Sequence, residues 1–313
     1  MCAAQSAQAQ VNTFAAPLLL QPIGARTVGQ GEATVADSSL GTEAMWWNPA
    51  GLARMRKREF AVHFSQNFAA NNLMLAFAAP SKALGTLGAT AYLVDYGTQD
   101  VTLDTPGAVG TLTNRVYVVS ASYASPVGKR FSFGLTAKNV RVRVICNGCD
   151  ATGKDLVGNT SGVDFGAQYV MPTTLPLTIG ASVRNLGPRL QYKDAAQADP
   201  LPRVVQAGMH TTLPIAALAK NNTTLSLMGD VFISPAYQSP SIRVGTDLTY
   251  RDLYTIRAGY KQLSKTDGSE GGLTVGFGLK YNSIQVDLAR RFDSSSGIGE
   301  AGAPTYVSLR FKF

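Results

Sequence analysis

Along most of this chain, apolar and polar residues take turns with a period of two. In the last segment Val307, Leu309, Phe311 and Phe313 fall on one face, and Tyr306, Ser308, Arg310 and Lys312 on the other. Leu273, Val275, Phe277, Leu279 and Tyr281 alternate with Thr274, Gly276, Gly278 and Lys280. Tyr254, Ile256, Ala258 and Tyr260 alternate with Arg257, Gly259 and Lys261. The dyad also runs through Ile242–Tyr250, where Arg243, Gly245, Asp247 and Thr249 make the polar face, and through Leu177–Arg184 and Phe131–Lys138. Successive side chains of a strand point to opposite faces, so the pattern predicts strands with one apolar side and one polar, glycine-rich side.

About fourteen such segments begin near Glu59, Asn71, Gly85, Arg115, Phe131, Gly162, Leu177, Arg203, Thr224, Ser241, Tyr254, Gly272, Ile284 and Thr305. Their length of roughly 9–11 residues suits a tilted strand crossing a bilayer, against ~5–6 in soluble sheets. Tyr92, Tyr96, Tyr123, Tyr169, Tyr250, Tyr254, Tyr281 and Tyr306 lie toward segment ends, where a headgroup girdle belongs. Links after even-numbered segments are mostly short, as in Pro80–Leu84 and Asn282–Ser283; those after odd-numbered ones are mostly long, as in Gly97–Asn114 and Ile145–Ser161. Early even segments close on a proline, at Pro80, Pro126, Pro172 and Pro214. The expectation is an all-β fold: a closed antiparallel transmembrane barrel of about fourteen strands over 59–313, in a bacterial outer membrane. An even count puts both barrel ends on the short-turn, periplasmic side.

Residues 11–58 break the alternation. Gly24–Leu52 is rich in Gly, Ala and Ser, and Leu18–Leu20 stands between prolines as a strap. A short helix over Ala44–Leu52 is expected to stop at Asn48-Pro49, because the residue before proline avoids helical angles. This stretch is read as a plug in the lumen, with Asn48-Pro49 as the hinge into the barrel. Residues 1–10 end in Ala7-Gln8-Ala9-Gln10, a small-x-small site that predicts a signal-peptide remnant.

Gly24-Ala25-Arg26, Ala33–Asp37 and Trp47–Leu52, followed by a barrel that ends in Phe313, resemble the PorV/PorQ group within the FadL-like fourteen-stranded barrels. The resemblance implies a plug that carries Gly24, Arg26, Asp37, Trp47, Asn48, Pro49, Ala50 and Gly51. It implies one of two jobs. The first is a secretion-associated, type IX-like role, with a translocon and exported proteins as partners. The second is FadL-like passage of a hydrophobic ligand. The short chain and the PorV-like block place the secretion role first.

Charged residues are 15% of the chain, and no window approaches the ~20 apolar residues of a membrane helix. The net charge of +8 is read as spread singly along strands, which argues against a nucleic-acid partner. Arg184, Arg243, Asp247, Arg257, Lys280, Asp287 and Arg310 lie on polar faces. They are expected to pair and brace the barrel, with Glu32, Asp37 and Glu43 of the plug as further partners. An electropositive lumen that draws anions is the alternative. Cys146 and Cys149 are expected to form a disulfide across an outer loop. Lys138, Arg141 and Arg143 lead into that loop, where a meeting with lipopolysaccharide phosphates and a solvated strand end explain them equally well; outer-membrane lipid is expected around the whole. His63 and His210 are the two histidines, and no motif for nucleophile, metal or phosphate chemistry is present. No enzyme activity, metal or cofactor is expected.

Overall fold

The computed structural model describes residues 14–66, 70–102, 108–148, 155–192, 198–237, 239–262, 271–293 and 304–313. The expected signal remnant at 1–10 lies outside them. Fourteen strands follow one another: β1 Glu59–Gln66, β2 Asn71–Ser81, β3 Gly85–Thr102, β4 Ala108–Val127, β5 Phe131–Asn147, β6 Leu156–Val170 and β7 Leu177–Leu186. After these come β8 Val204–Leu213, β9 Thr223–Ile233, β10 Ser241–Tyr250, β11 Tyr254–Lys261, β12 Gly272–Tyr281, β13 Ile284–Asp293 and β14 Thr305–Lys312. Each pairs with its sequence neighbours, and β1 pairs antiparallel with β14 from Glu59↔Lys312 to Gln66↔Thr305. Closure matters physically, because an unpaired strand edge has no water to bond in hydrocarbon.

The apolar faces point outward. Phe60, Phe64, Leu75, Phe77, Phe133, Ile256, Phe277 and Leu309 are all exposed on the wall. The inward face carries the glycines and charges. Tyr123, Tyr250, Tyr254 and Tyr281 are exposed and suit a girdle, but Tyr92 and Tyr306 are buried inside the barrel. Strand parity overrides their position near a segment end.

Two expected features change. β3, β4, β5 and β6 run to 18, 20, 17 and 15 residues, so the loops expected at Gly97–Asn114 and Ile145–Ser161 are largely hairpin. In their upper parts the alternation reverses its sense: Val140 and Val142 are buried while Arg141 and Arg143 are exposed. A strand that has left the bilayer can turn its polar side to water and its apolar side inward, as a soluble sheet does. The link after β8 also contains a short helix, Ala216–Lys220.

Candidate functional site: the filled lumen

Residues 15–52 are almost entirely buried within the barrel. They form a 3-10 turn at Pro17–Leu20, a short helix α1 at Ala25–Gly29, a 3-10 turn at Gly41–Glu43, a helix α2 at Ala44–Trp47 and a 3-10 helix at Pro49–Arg54. Such short pieces do not hold themselves together by helix propensity. The wall holds them. The lumen-facing glycines are their seats: a Cβ on Gly134, Gly166, Gly180, Gly245 or Gly259 would come within 1.9–2.3 Å of this segment's atoms.

Over β8–β14 the contacts are mainly polar, beside a small apolar cluster of Ala25 and Val28 against Ala289 and Tyr306. The Glu32 carboxylate meets Arg243 at 3.0 Å, Lys261 at 3.1 Å and Arg291 at 3.6 Å. Burial pushes that carboxyl up, but the three cations outweigh it and hold it down at about 2. Asp230 accepts the backbone N–H groups of Thr34 at 2.6 Å and Val35 at 2.9 Å. Asp247 accepts from Gln30 Nε2 at 2.8 Å, and Arg257 and Arg310 donate to Asp287 at 2.8 and 2.5 Å. Arg26 pairs with Asp37 of its own segment at 2.7 Å and donates to the Ser39 carbonyl. Arg184 donates to the Trp46 carbonyl at 3.0 Å and lies over the Trp47 ring, while Arg243 stacks on Phe232 at 3.8 Å.

Over β3–β6, toward the long-loop end, the lining is apolar. Trp46 meets Tyr92 edge-on at 5.3 Å, and Val94, Val116, Val118, Val140 and Val142 continue the surface upward. Leu18 and Leu19 close it from the inner segment, and Leu190 and Leu201 from the link between β7 and β8. The two sides of this cap are joined by a backbone bond from Ala15 N to the Pro200 carbonyl at 3.0 Å.

Several expectations need restating. Asn48 begins the 3-10 helix: its Oδ1 accepts Ala50 N at 3.1 Å, and its Nδ2 donates to the carbonyls of Val35 and Ala167. With Gly166 beneath it, Asn48-Pro49 is an anchor on the wall and not a hinge. The passage into β1 comes later, at 55–58. Gly24, Ala50 and Gly51 are buried beside Trp47 and Pro49. Of the expected lumen charges Lys280 lies elsewhere, on the rim, paired with Asp252. Lys138 is buried against Asp164 at 2.7 Å and so does not face lipopolysaccharide. Cys146 is disulfide-bonded; Cys149 lies outside the described residues. Glu43 comes only to 3.9 Å from His63 Nδ1, and its oxygens find no hydrogen-bond donor among the described residues. Burial raises its carboxyl to about 7.

Two features escaped the sequence reading. Gln206 bridges Arg184 and Asp230 at 3.2 and 2.7 Å, which only the register of β8 reveals. Arg54-Met55-Arg56-Lys57-Arg58 is a basic run in plain view, so the positive charge is not spread singly. His63 bonds Ser308 Oγ at 2.8 Å, and that same oxygen takes the Ala25 N–H, a buried bracing contact. Among the described residues no group of three or more His, Cys, Asp or Glu is placed to hold a metal.

No protein-family model and no curated protein matches the chain. Solved structures do. TodX, a toluene transporter of Pseudomonas putida, superposes with a TM-score of 0.60 at 13% identity over 92% of this chain and 97% of its own. The two proteins share one barrel fold. CymD, a monoaromatic hydrocarbon channel, gives 0.66 at 15% identity over 93% and 97%. TbuX, a toluene transporter of Ralstonia pickettii, gives 0.57 at 14% over 97% and 99%.

Proposed function

We propose that this protein passes hydrophobic small molecules across the outer membrane of a Gram-negative cell. Residues 11–58 act as its plug and 59–313 as its barrel, with both barrel ends turned to the periplasm. The observation that carries the proposal is the split lumen: charged where the plug is anchored, apolar beneath a cap at the long-loop end. Apolar lining favours a dissolved hydrocarbon by about 25 cal/mol for each Å² taken from water. Leucine contacts and the Ala15–Pro200 backbone bond join the inner segment to this cap, and Thr160 Oγ1 on the wall donates to the Pro188 carbonyl of the same link at 3.0 Å. The shared fold of toluene transporters and a monoaromatic hydrocarbon channel supports the same substrate class.

This passage role, second in the sequence reading, is favoured over the secretion-partner role put first. What speaks for secretion is the PorV/PorQ-like block at Gly24–Leu52. Reconstitution separates them. Vesicles holding the folded protein should take up toluene faster than empty vesicles, and Val118→Asp or Val142→Asp should remove most of the gain. No uptake by the parent, with co-purification of exported proteins from native membranes, would decide for secretion.

A further inference from the structure

The excess positive charge of the chain has a particular place. Inside the barrel, Lys138, Lys261, Arg243, Arg257 and Arg310 each meet a carboxylate at 2.5–3.1 Å, so the lumen uses its cations in pairs. The short-turn rim does not. There the stretch entering β1 exposes Arg56, Lys57 and Arg58. The turns expose Lys82 after β2, Lys129 and Arg130 after β4, Lys220 after β8 and Arg251 after β10. None of these cations is ion-paired among the described residues. The acids described at this level are Asp252, engaged by Lys280, and Glu59, buried and engaged by Lys312 and Thr42.

Their neighbours set their depth. Lys129 and Arg130 lie between the exposed Val127 and Phe131. Arg251 stacks on the exposed Tyr250 and precedes the exposed Tyr254; Lys82 is followed by the exposed Leu84. The cations therefore sit a residue or two beyond the apolar band, where long side chains reach lipid phosphates. They are also distributed. Turns after β2, β4, β8 and β10 and the entry to β1 lie at separate points of the closed circumference. A ring of cations matches a flat anionic surface that surrounds the barrel. An acidic protein docked on one side would leave most of the ring unused.

We infer that the short-turn rim is a binding surface for the phosphates of anionic phospholipid headgroups, of the phosphatidylglycerol type. The inference rests on the membrane-barrel reading, and its assignment to the periplasmic leaflet rests on the orientation proposed above. The ring would hold the barrel at a set depth, with the plug's lower end at headgroup level.

The test uses the folded protein in phosphatidylcholine bilayers doped with spin-labelled lipid. Spin-labelled phosphatidylglycerol should be enriched at the protein about threefold or more over phosphatidylcholine at low salt, as basic segments attract anionic lipid. At 1 M NaCl, where screening acts within about 3 Å, the preference should fall toward one. The variant K82Q/K129Q/R130Q/K220Q/R251Q should lose most of it, and R56Q/K57Q/R58Q a part. The variant R115Q/R141Q/R143Q, on the long-loop side, should keep it. No preference in the parent, or equal losses in rim and long-loop variants, would overturn the inference. So would tight binding of a polyglutamate peptide with no lipid preference, which would point to an acidic protein. Heat-modifiable gel migration checks that each variant folds; should the five-site variant fail, the three-site variant and the parent's salt dependence decide. A parent without heat-modifiable migration would instead sink the barrel reading itself.

Discussion

Two sides of one wall grip the same inner segment by opposite means. β8–β14 hold residues 26–37 with buried ion pairs and hydrogen bonds, centred on Glu32, Asp230 and Asp247. β3–β6 hold Leu18, Leu19 and Trp46 with valines and Tyr92. Removing one member of a buried pair strands a charge in a medium that cannot solvate it, so the first grip resists partial opening. Apolar contact is non-directional and loses strength in proportion to area, so the second can loosen and reform. An inner segment held this way is fixed by charge on one side and by apolar contact on the other.

The largest expected effect comes from breaking the charged side. Glu32→Ala leaves Lys261 and Arg243 buried without their shared carboxylate. A loss of about 3–5 kcal/mol in the unfolding free energy in lipid is expected. A loss under 1 kcal/mol would mean that water reaches these groups and that the two sides do not differ.

Next is the apolar side. Trp46→Ala should cost about 3 kcal/mol, as large-to-small core changes do, and should also raise toluene uptake by loosening the packing beneath the cap. Combined with Glu32→Ala, its effect should be additive to within about 0.5 kcal/mol, since the contacts found for the two side chains are separate. Strong coupling would show the two grips to be one unit.

Gly166→Val tests the seat between them. Its Cβ would fall 1.9 Å from Asn48 Oδ1, so Asn48 must leave the wall. Overpacking of this kind costs about 1–3 kcal/mol and should be read as a lower temperature of the gel shift.

The fourth prediction concerns Glu43, whose carboxyl in the folded protein sits near 7 against an ordinary 4.5. As pH rises, the unfolded chain gives up this proton first, so the group lowers stability progressively between about pH 4.5 and 7 and no further above. Glu43→Gln should therefore be more stable than the parent at pH 8, by about 1–3 kcal/mol, and equal to it at pH 4. Equal stability at both pH values would refute the buried, donor-less placement. The smallest effect is expected at the rim: Lys280→Ala removes an exposed pair with Asp252 and should cost less than about 1 kcal/mol.

Much of this was legible in the residues. The dyads of β10–β12 and β14 placed Arg243, Asp247, Arg257 and Arg310 on the inward face, because a strand's parity leaves no other choice once one face is apolar. The same parity, applied to Tyr92 and Tyr306, would have kept them out of the girdle. What resisted reading was where a strand leaves the bilayer. In β5 the even positions face inward from Ser132 to Val142, yet the apolar residues move from odd positions, through Ala137, to even ones from Val140. The doubled polar step at Lys138-Asn139 marks the switch, but periodicity does not say which side of it lies in lipid.

The chain by itself determined a wall of about fourteen alternating strands, the short and long links between them, and a stretch before Glu59 that could not be wall. Those are consequences of local periodicity, which needs no partner to be read. Only the tertiary structure decided that Glu32 answers Arg243, Lys261 and Arg291, that Asn48 sits on Gly166, and that the lumen is charged on one side and apolar on the other. Each of these joins residues more than a hundred positions apart, or compares strands across a closed circle. Barrel closure and register bring them together, and a pattern of period two carries no record of which strand will face which.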